Sequence, residues 1–213
     1  MQLVPIPSPG MPVYFGAARA PVVVIVHDDY GRLPWLEPYA EALSSRGFRV
    51  AVPDLYAGFC TTDAATAADL RGSLAASVAF DLIDDAIARS GGDASVVGAV
   101  GFSLGGLLAM RFAQSGGTAA VVSYYASPRS DEHAVIPCPV LVHWAETDPL
   151  EPRQQTDAFV ARLRADGTTV SEHRYLGTEH GFANASIPAQ LDARAAALSF
   201  ARAAVFLEKH LLA

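Results

Sequence analysis

Gly101-Phe102-Ser103-Leu104-Gly105 sets a serine between two glycines where a buried, β-branched stretch, ASVVGAVGF (94–102), gives way to LLAMRFAQ (107–114), a helix-forming one. A nucleophile on such a strand-to-helix turn adopts strained backbone angles, and small residues two before and two after let the neighbouring chains pass closely. The turn also puts Ser103 at a helix N-terminus, where the Leu104 amide can donate to a developing oxyanion. A Gly-Ser turn that merely starts a helix is the bland alternative, and the flanking strand and helix disfavour it.

A serine hydroxyl is a poor nucleophile until a base takes its proton, and the base needs a partner to hold its tautomer. Of six histidines, His27 ends a strand, His133 lies in a long loop, His143 and His173 fall inside strands, and His210 is in the last helix. Only His180 sits in a loop directly after the last strand and before the last helix, so it is the expected base. With the chain order Ser, acid, His, the acid is sought after PVLVHWA (139–145), where Glu146 and Asp148 both stand. Asp148 is farther out and followed by a proline turn, which favours it. Glu146 is the fallback, and a helix N-cap is the alternative role for Asp148.

The elements that must position these residues alternate. PVVVIVH (21–27), FRVAVPD (48–54), 94–102, AAVVSYYA (119–126), 139–145 and TTVSEHRYL (168–176) read as strands. Helices are expected over 35–46, 66–90 as one long amphipathic segment, 107–114, 152–166 and about 189–211. Continuous apolar strands are those of a parallel sheet covered on both faces. The pattern specifies one α/β domain over 1–213, with a mostly parallel sheet, right-handed crossovers and a site beyond the carboxyl ends of the strands. Prolines 5, 7, 9 and 12 restrict the first twenty residues to edge strands and turns.

Composition narrows the function. Of 213 residues, 51% are hydrophobic and 17% charged, enough apolar material for a sizeable core, and the net charge is −7. Nucleic acid and anionic membrane surfaces are therefore disfavoured as partners. The N-terminus lacks the basic start and apolar run of a signal peptide, and no stretch approaches a spanning helix, so a cytoplasmic protein is expected. Cys60 and Cys138 lie far apart in no metal-like spacing and are read as structural thiols. A metal site at His27-Asp28-Asp29 has little support, because the three are adjacent and no second cluster completes a shell.

VVVIVHDDYG (22–31), VPDLYAG (52–58), GFSLGG (101–106), HWAETD (143–148) and EHGF (179–182) together resemble the dienelactone hydrolase family of α/β-hydrolases, from Pro21 onward. The resemblance implies a cap-less domain with an eight-stranded sheet, cofactor-independent hydrolysis of esters or lactones, and a triad of Ser103, Asp148 and His180. It also implies that the Asp29 amide joins that of Leu104 in the oxyanion hole, and that Asp28 stands where the family often has a glutamate touching the resting nucleophile. Two departures bear on function: position 103 is serine where founding members have cysteine, and Asn184 stands where dienelactone-specific members have a carboxylate-binding arginine. A neutral ester or lactone is therefore the expected substrate. Arg71, near the expected pocket rim, is a candidate anion binder or a solvated helix residue.

Trp35, Tyr56, Phe59 and Tyr124 sit near strand ends and are candidates for lining an acyl pocket, with core packing as the equal alternative; Asn184 joins them as a candidate pocket residue. Peptide hydrolysis or acyl transfer by the same triad, and a non-catalytic binding module on the fold, are the competing functions. A monomer or weak homodimer is expected.

Overall fold

The computed structural model describes residues 3–129 and 134–212. Its seven strands are β1 (Val13–Phe15), β2 (Pro21–Val26), β3 (Arg49–Val52), β4 (Asp93–Phe102), β5 (Ala120–Tyr124), β6 (Val140–Thr147) and β7 (Val170–Glu179). Its helices are α1 (Leu36–Ser44), α2 (Ala64–Ser73), α3 (Ala76–Ala88), α4 (Leu104–Ala113), α5 (Arg153–Ala165) and α6 (Ala193–Leu211). They form one sheet in the order β1-β3-β2-β4-β5-β6-β7. Only β1 runs antiparallel, against β3. The family resemblance implied eight strands; the described residues form seven.

The β-branched run in β2 shows why the sheet is buried on both sides. Val23 and Ile25 pack with α1 and α6, while Val22, Val24 and Val26 pack with α3, α4 and α5. All five are fully buried. Side chains alternating across a strand fill two cores at once, as an all-apolar parallel strand requires. The proline-rich start contributes β1 alone, three residues at the sheet edge.

The long helix expected over 66–90 is two helices. Leu74 and Ala75 are extended, with ψ of 115° and 137°. Gly72-Ser73 is a weak helical end, and the Ser73 hydroxyl donates to the Leu70 carbonyl instead of continuing the helix. The start of α2 is held by Asp63, whose carboxylate accepts from the Thr66 amide at 2.8 Å. The break turns α2 over the carboxyl end of the sheet while α3 packs flat against it.

Helix α4 starts at Leu104, three residues before its hydrophobic pattern, because the turn at Ser103 launches it from the end of β4. That turn needs bare backbone. A Cβ on Gly101 would lie 2.0 Å from the Gly105 carbonyl oxygen, and one on Gly105 would lie 2.2 Å and 2.4 Å from the Val26 and His27 carbonyl oxygens. Gly72, by contrast, has open space around it. Gly105→Ala is therefore expected to cost about 3 kcal/mol or more of folding stability, and Gly72→Ala to gain about 0.5 kcal/mol, in urea unfolding midpoints. Equal effects at the two sites would contradict the close-packed turn.

Candidate active site

Ser103 has φ 49° and ψ −117°, a conformation rare for a side chain larger than hydrogen. Its amide donates to the Tyr124 carbonyl on the neighbouring strand at 3.0 Å, which ties the strained residue to the sheet. Its Oγ lies 2.8 Å from His180 Nε2, and His180 Nδ1 lies 2.8 Å from Asp148 Oδ2. The backbone of the last two strands explains that second contact. Between Ala145 and Thr147 the ladder shifts register, and Thr147 then pairs with Glu179. The next residue on each strand, Asp148 and His180, is thus delivered side by side. Asp148 Oδ1 accepts the amides of Leu150 and Glu151 at 3.0 and 3.1 Å, and its side chain is 2% exposed. Helix α5 is capped at Pro152, not at Asp148. Glu146 turns away and accepts the Gly177 amide at 2.6 Å.

Of the two aspartates after β2, the one whose carboxylate reaches the serine is not the one the resemblance implied. The Asp29 carboxylate, not that of Asp28, meets the serine: Ser103 Oγ and Asp29 Oδ2 are 2.8 Å apart, and Arg71 Nη1 holds Asp29 Oδ1 at 3.1 Å. Asp28 points under the loop, accepting the Tyr30 amide at 3.0 Å and Asn184 Nδ2 at 2.7 Å. Neighbouring side chains leave an extended chain in opposite directions, so anchoring one inward sends the other into the cavity. Asn184 is accordingly buried behind the site and does not line it. The N–H of Leu104, on the first turn of α4, is one that a helix leaves unpaired. The N–H of Asp29 is likewise unspent among the described residues.

Of the other histidines, His27 is wholly buried, with Nδ1 2.7 Å from the Asp28 carbonyl and Nε2 accepting the Leu55 amide, and burial pushes its pKa down. Its ring is spent on loop backbone, and no cluster of three metal-ligating side chains occurs among the described residues. His143 bonds the Tyr175 hydroxyl inside the core, His173 is half-buried beside it, and His210 packs on Phe206. His133 lies outside the described residues.

The space around Ser103 has two lobes. One, of about 170 Å³, is walled by Asp28, Asp29, Tyr30, Ala64, Ala67, Ala68 and Gln190. The other, of about 290 Å³, is walled by Leu104, Leu107, Ser127, Arg129, Glu151 and Gln155. Ser103, His180, Tyr125, Arg71 and Leu150 border both.

The aromatic candidates lie elsewhere. Trp35 and Tyr124 both pack on Phe102 in the core, at 4.8 and 4.4 Å between ring centroids. Tyr56 and Phe59 line a separate apolar groove of about 500 Å³ with Leu70, Leu74 and Val78. Tyr125, which the sequence reading passed over, is an aromatic wall of both lobes, with its ring 4.8 Å from that of His180. At the end of β5 consecutive side chains diverge, so Tyr124 faces the core and Tyr125 the cavity.

Burial pushes the Asp28 carboxyl up to about 7, despite its two donors. The ordinary value in the unfolded chain is near 4. A raised native pKa means that the protonated form suits the fold, so stability is full below about pH 4 and falls as the pH rises through about 7. Asp28→Asn stays neutral throughout. Its melting temperature relative to wild type is expected to rise between about pH 5 and about pH 8, by the equivalent of roughly 2–3 kcal/mol. Parallel melting curves for the two proteins across that range would contradict a protonated, buried Asp28.

Residues 12–211 match the model of the dienelactone hydrolase family. A carboxymethylenebutenolidase from Rhodococcus opacus is 28% identical over 208 residues, covering 89% of this chain and 81% of the relative. Among solved structures, a dienelactone hydrolase-like promiscuous phosphotriesterase from metagenomic libraries superposes with a TM-score of 0.77 at 22% identity, covering 91% and 88% of the two chains. A hyperthermophilic esterase from the archaeon Pyrobaculum calidifontis gives 0.68 at 19% identity, over 92% and 79%. The fold and the family match agree, and the chain belongs to the dienelactone hydrolase family of α/β-hydrolases.

Proposed function

We propose that the chain hydrolyses small, neutral carboxylic esters or lactones through an acyl-enzyme on Ser103. The observation that carries this reading is the unbroken line of contacts from Asp148 through His180 to Ser103 Oγ, 2.8 Å at each step. With Asp148 accepting from Nδ1–H, the bare Nε2 faces the serine hydroxyl and can take its proton as Oγ attacks the acyl carbon. The oxyanion then forms at the amides of Leu104 and Asp29, each worth about 3 kcal/mol in such a site. Protonated His180 returns the proton to the leaving alcohol, and the same histidine activates water to release the acid.

The two lobes supply the substrate limits. The smaller is floored by three alanines of α2 and fits a short acyl group, and the larger, more polar one suits a leaving group with hydrogen-bonding capacity. Asn184 bonds Asp28 and leaves no cation at that position for a substrate carboxylate.

The Asp29 carboxylate adds a condition. Ser103 has one proton and two acceptors at 2.8 Å, Asp29 Oδ2 and His180 Nε2. Attack requires that the proton be directed to His180, so Arg71, by pairing with Asp29, must weaken the competing acceptor. Arg71→Gln is expected to lower kcat/KM roughly tenfold, and Asp29→Asn in the same background to recover most of it. Independent, additive losses would show that the pair does not act on the serine proton.

The reading as a whole is tested with short-chain p-nitrophenyl esters. Ser103→Ala is expected to lower kcat at least about 10⁴-fold with an unchanged circular dichroism spectrum, and turnover by wild type should fall as the acyl chain lengthens beyond a few carbons. Wild-type rates matched by Ser103→Ala would overturn it.

A further inference from the structure

The proline-rich start of the chain is fastened to the loop that carries Asp29. Residues 3–10 form a strap against that loop and against the loop after β3. At one end the Val4 amide donates to the Cys60 carbonyl at 2.7 Å, and the Cys60 thiol donates to the Val4 carbonyl at 3.1 Å. Val4 and Ile6 pack against the core cluster that contains Cys60 and Leu33. At the other end the Gly10 amide donates to Asp54 Oδ2 at 2.7 Å. Between the two, Arg32 Nη2 donates to the Pro7 carbonyl at 2.6 Å and to the Ser8 carbonyl at 3.0 Å.

Arg32 is only 2% exposed, and its Nε and Nη1 have no hydrogen-bond partner among the described residues. The opposing charge it feels most is that of Asp54, whose oxygens are taken up by the amides of Gly10, Tyr56 and Gly58. A guanidinium removed from water with so few acceptors is costly, and an apolar side chain of similar volume would fill the same space. What the guanidinium adds is its hold on two carbonyls of the strap.

The other side of that hold is the site. From Asp28 to Leu33 the chain is a compact turn: the Gly31 amide donates to the Asp28 carbonyl at 3.2 Å and the Leu33 amide to the Gly31 carbonyl at 2.7 Å. The Tyr30 carbonyl accepts the Thr61 amide at 3.0 Å. Gly31 lies so close to the second loop that a Cβ on it would be 2.6 Å from that of Cys60. A turn closed on itself in this way moves as a unit, so a displacement of Arg32 carries Asp29, three residues earlier, with it.

We infer that Arg32 is a positioning residue for the oxyanion hole: by clamping the Pro7 and Ser8 carbonyls it ties the Asp29 loop to the N-terminal strap and fixes the Asp29 amide relative to Ser103. The inference rests on the acyl-enzyme reading above, in which that amide receives the oxyanion. The strap then belongs to the support of the site, although none of its residues borders either lobe.

Ser8 offers the test, because it is exposed and lies at φ 49°. Proline, held at about −65°, cannot take that conformation, whereas glycine takes it readily. Ser8→Pro is expected to speed hydrogen exchange in the strap and to lower kcat on short-chain p-nitrophenyl esters about ten- to a hundredfold, with KM within about twofold of wild type. It should weaken a boronic acid inhibitor, which places an oxygen in the oxyanion hole, by the same factor; a merely structural role would not couple the two. Arg32→Met should behave alike, Arg32→Lys, which keeps a donor, should retain most of the rate, and Ser8→Gly should match wild type. Wild-type kcat in Ser8→Pro with a released strap would overturn the inference and leave the acyl-enzyme reading standing. So would a strap still protected in Arg32→Met, or a loss of kcat without a matching loss of boronate affinity. A wild type that neither turns over the esters nor binds the boronate would overturn both.

Discussion

The site depends on one close approach of backbone to backbone. Helix α4 can start directly under the end of β2 only because Gly105 presents no side chain to the Val26 and His27 carbonyls, and Gly101 none to Gly105. That proximity holds Ser103 at a positive φ, and the positive φ lifts Oγ out of the sheet with the Leu104 amide beside it. The strain is affordable because the surrounding strands are fully buried and parallel, so the turn is fixed from both sides. Relaxing it would move Ser103 Oγ and the Leu104 amide together.

The second half of the site is set by register. A ladder shift of two residues beyond Ala145 carries β6 and β7 past the length of their apolar stretches, and the Thr147–Glu179 pairing then places Asp148 and His180 as neighbours. The charges around them are distributed unequally. The Asp148 side chain is buried and bonds two backbone amides and the imidazole. Asp28, a similar carboxyl with one amide and one side-chain donor, is pushed towards neutrality. Asp29 keeps Arg71 beside it. The three carboxylates, on the loops after β2 and β6, thus meet three different sets of partners.

Much of this was legible in the chain. The glycine spacing around Ser103, the apolar β-branched strands and the place of His180 between the last strand and last helix follow from local chemistry, and the structure has each in its expected element. What was not legible depends on where side chains point once tertiary packing is set. Asp28 and Asp29 are adjacent and identical in type, so no pattern tells which one Asn184 draws inward. Tyr124 and Tyr125 pose the same problem at the end of β5. The break at Leu74–Ala75 is hidden in an apolar periodicity that continues through it, since Leu70 and Leu74 before it pack on the same core cluster that holds Ala79, Ile83 and Ile87 after it.

The central claim is that Ser103, activated by His180, is the group that becomes acylated. Reaction with a fluorophosphonate, followed by mass spectrometry of the digested protein, tests it most directly, because the adduct does not turn over. One phosphonyl group on the peptide bearing Ser103 is expected, with a labelling rate at least about 10³-fold lower in His180→Ala. A wild-type protein that stays unlabelled, or carries the group on another residue, would contradict it.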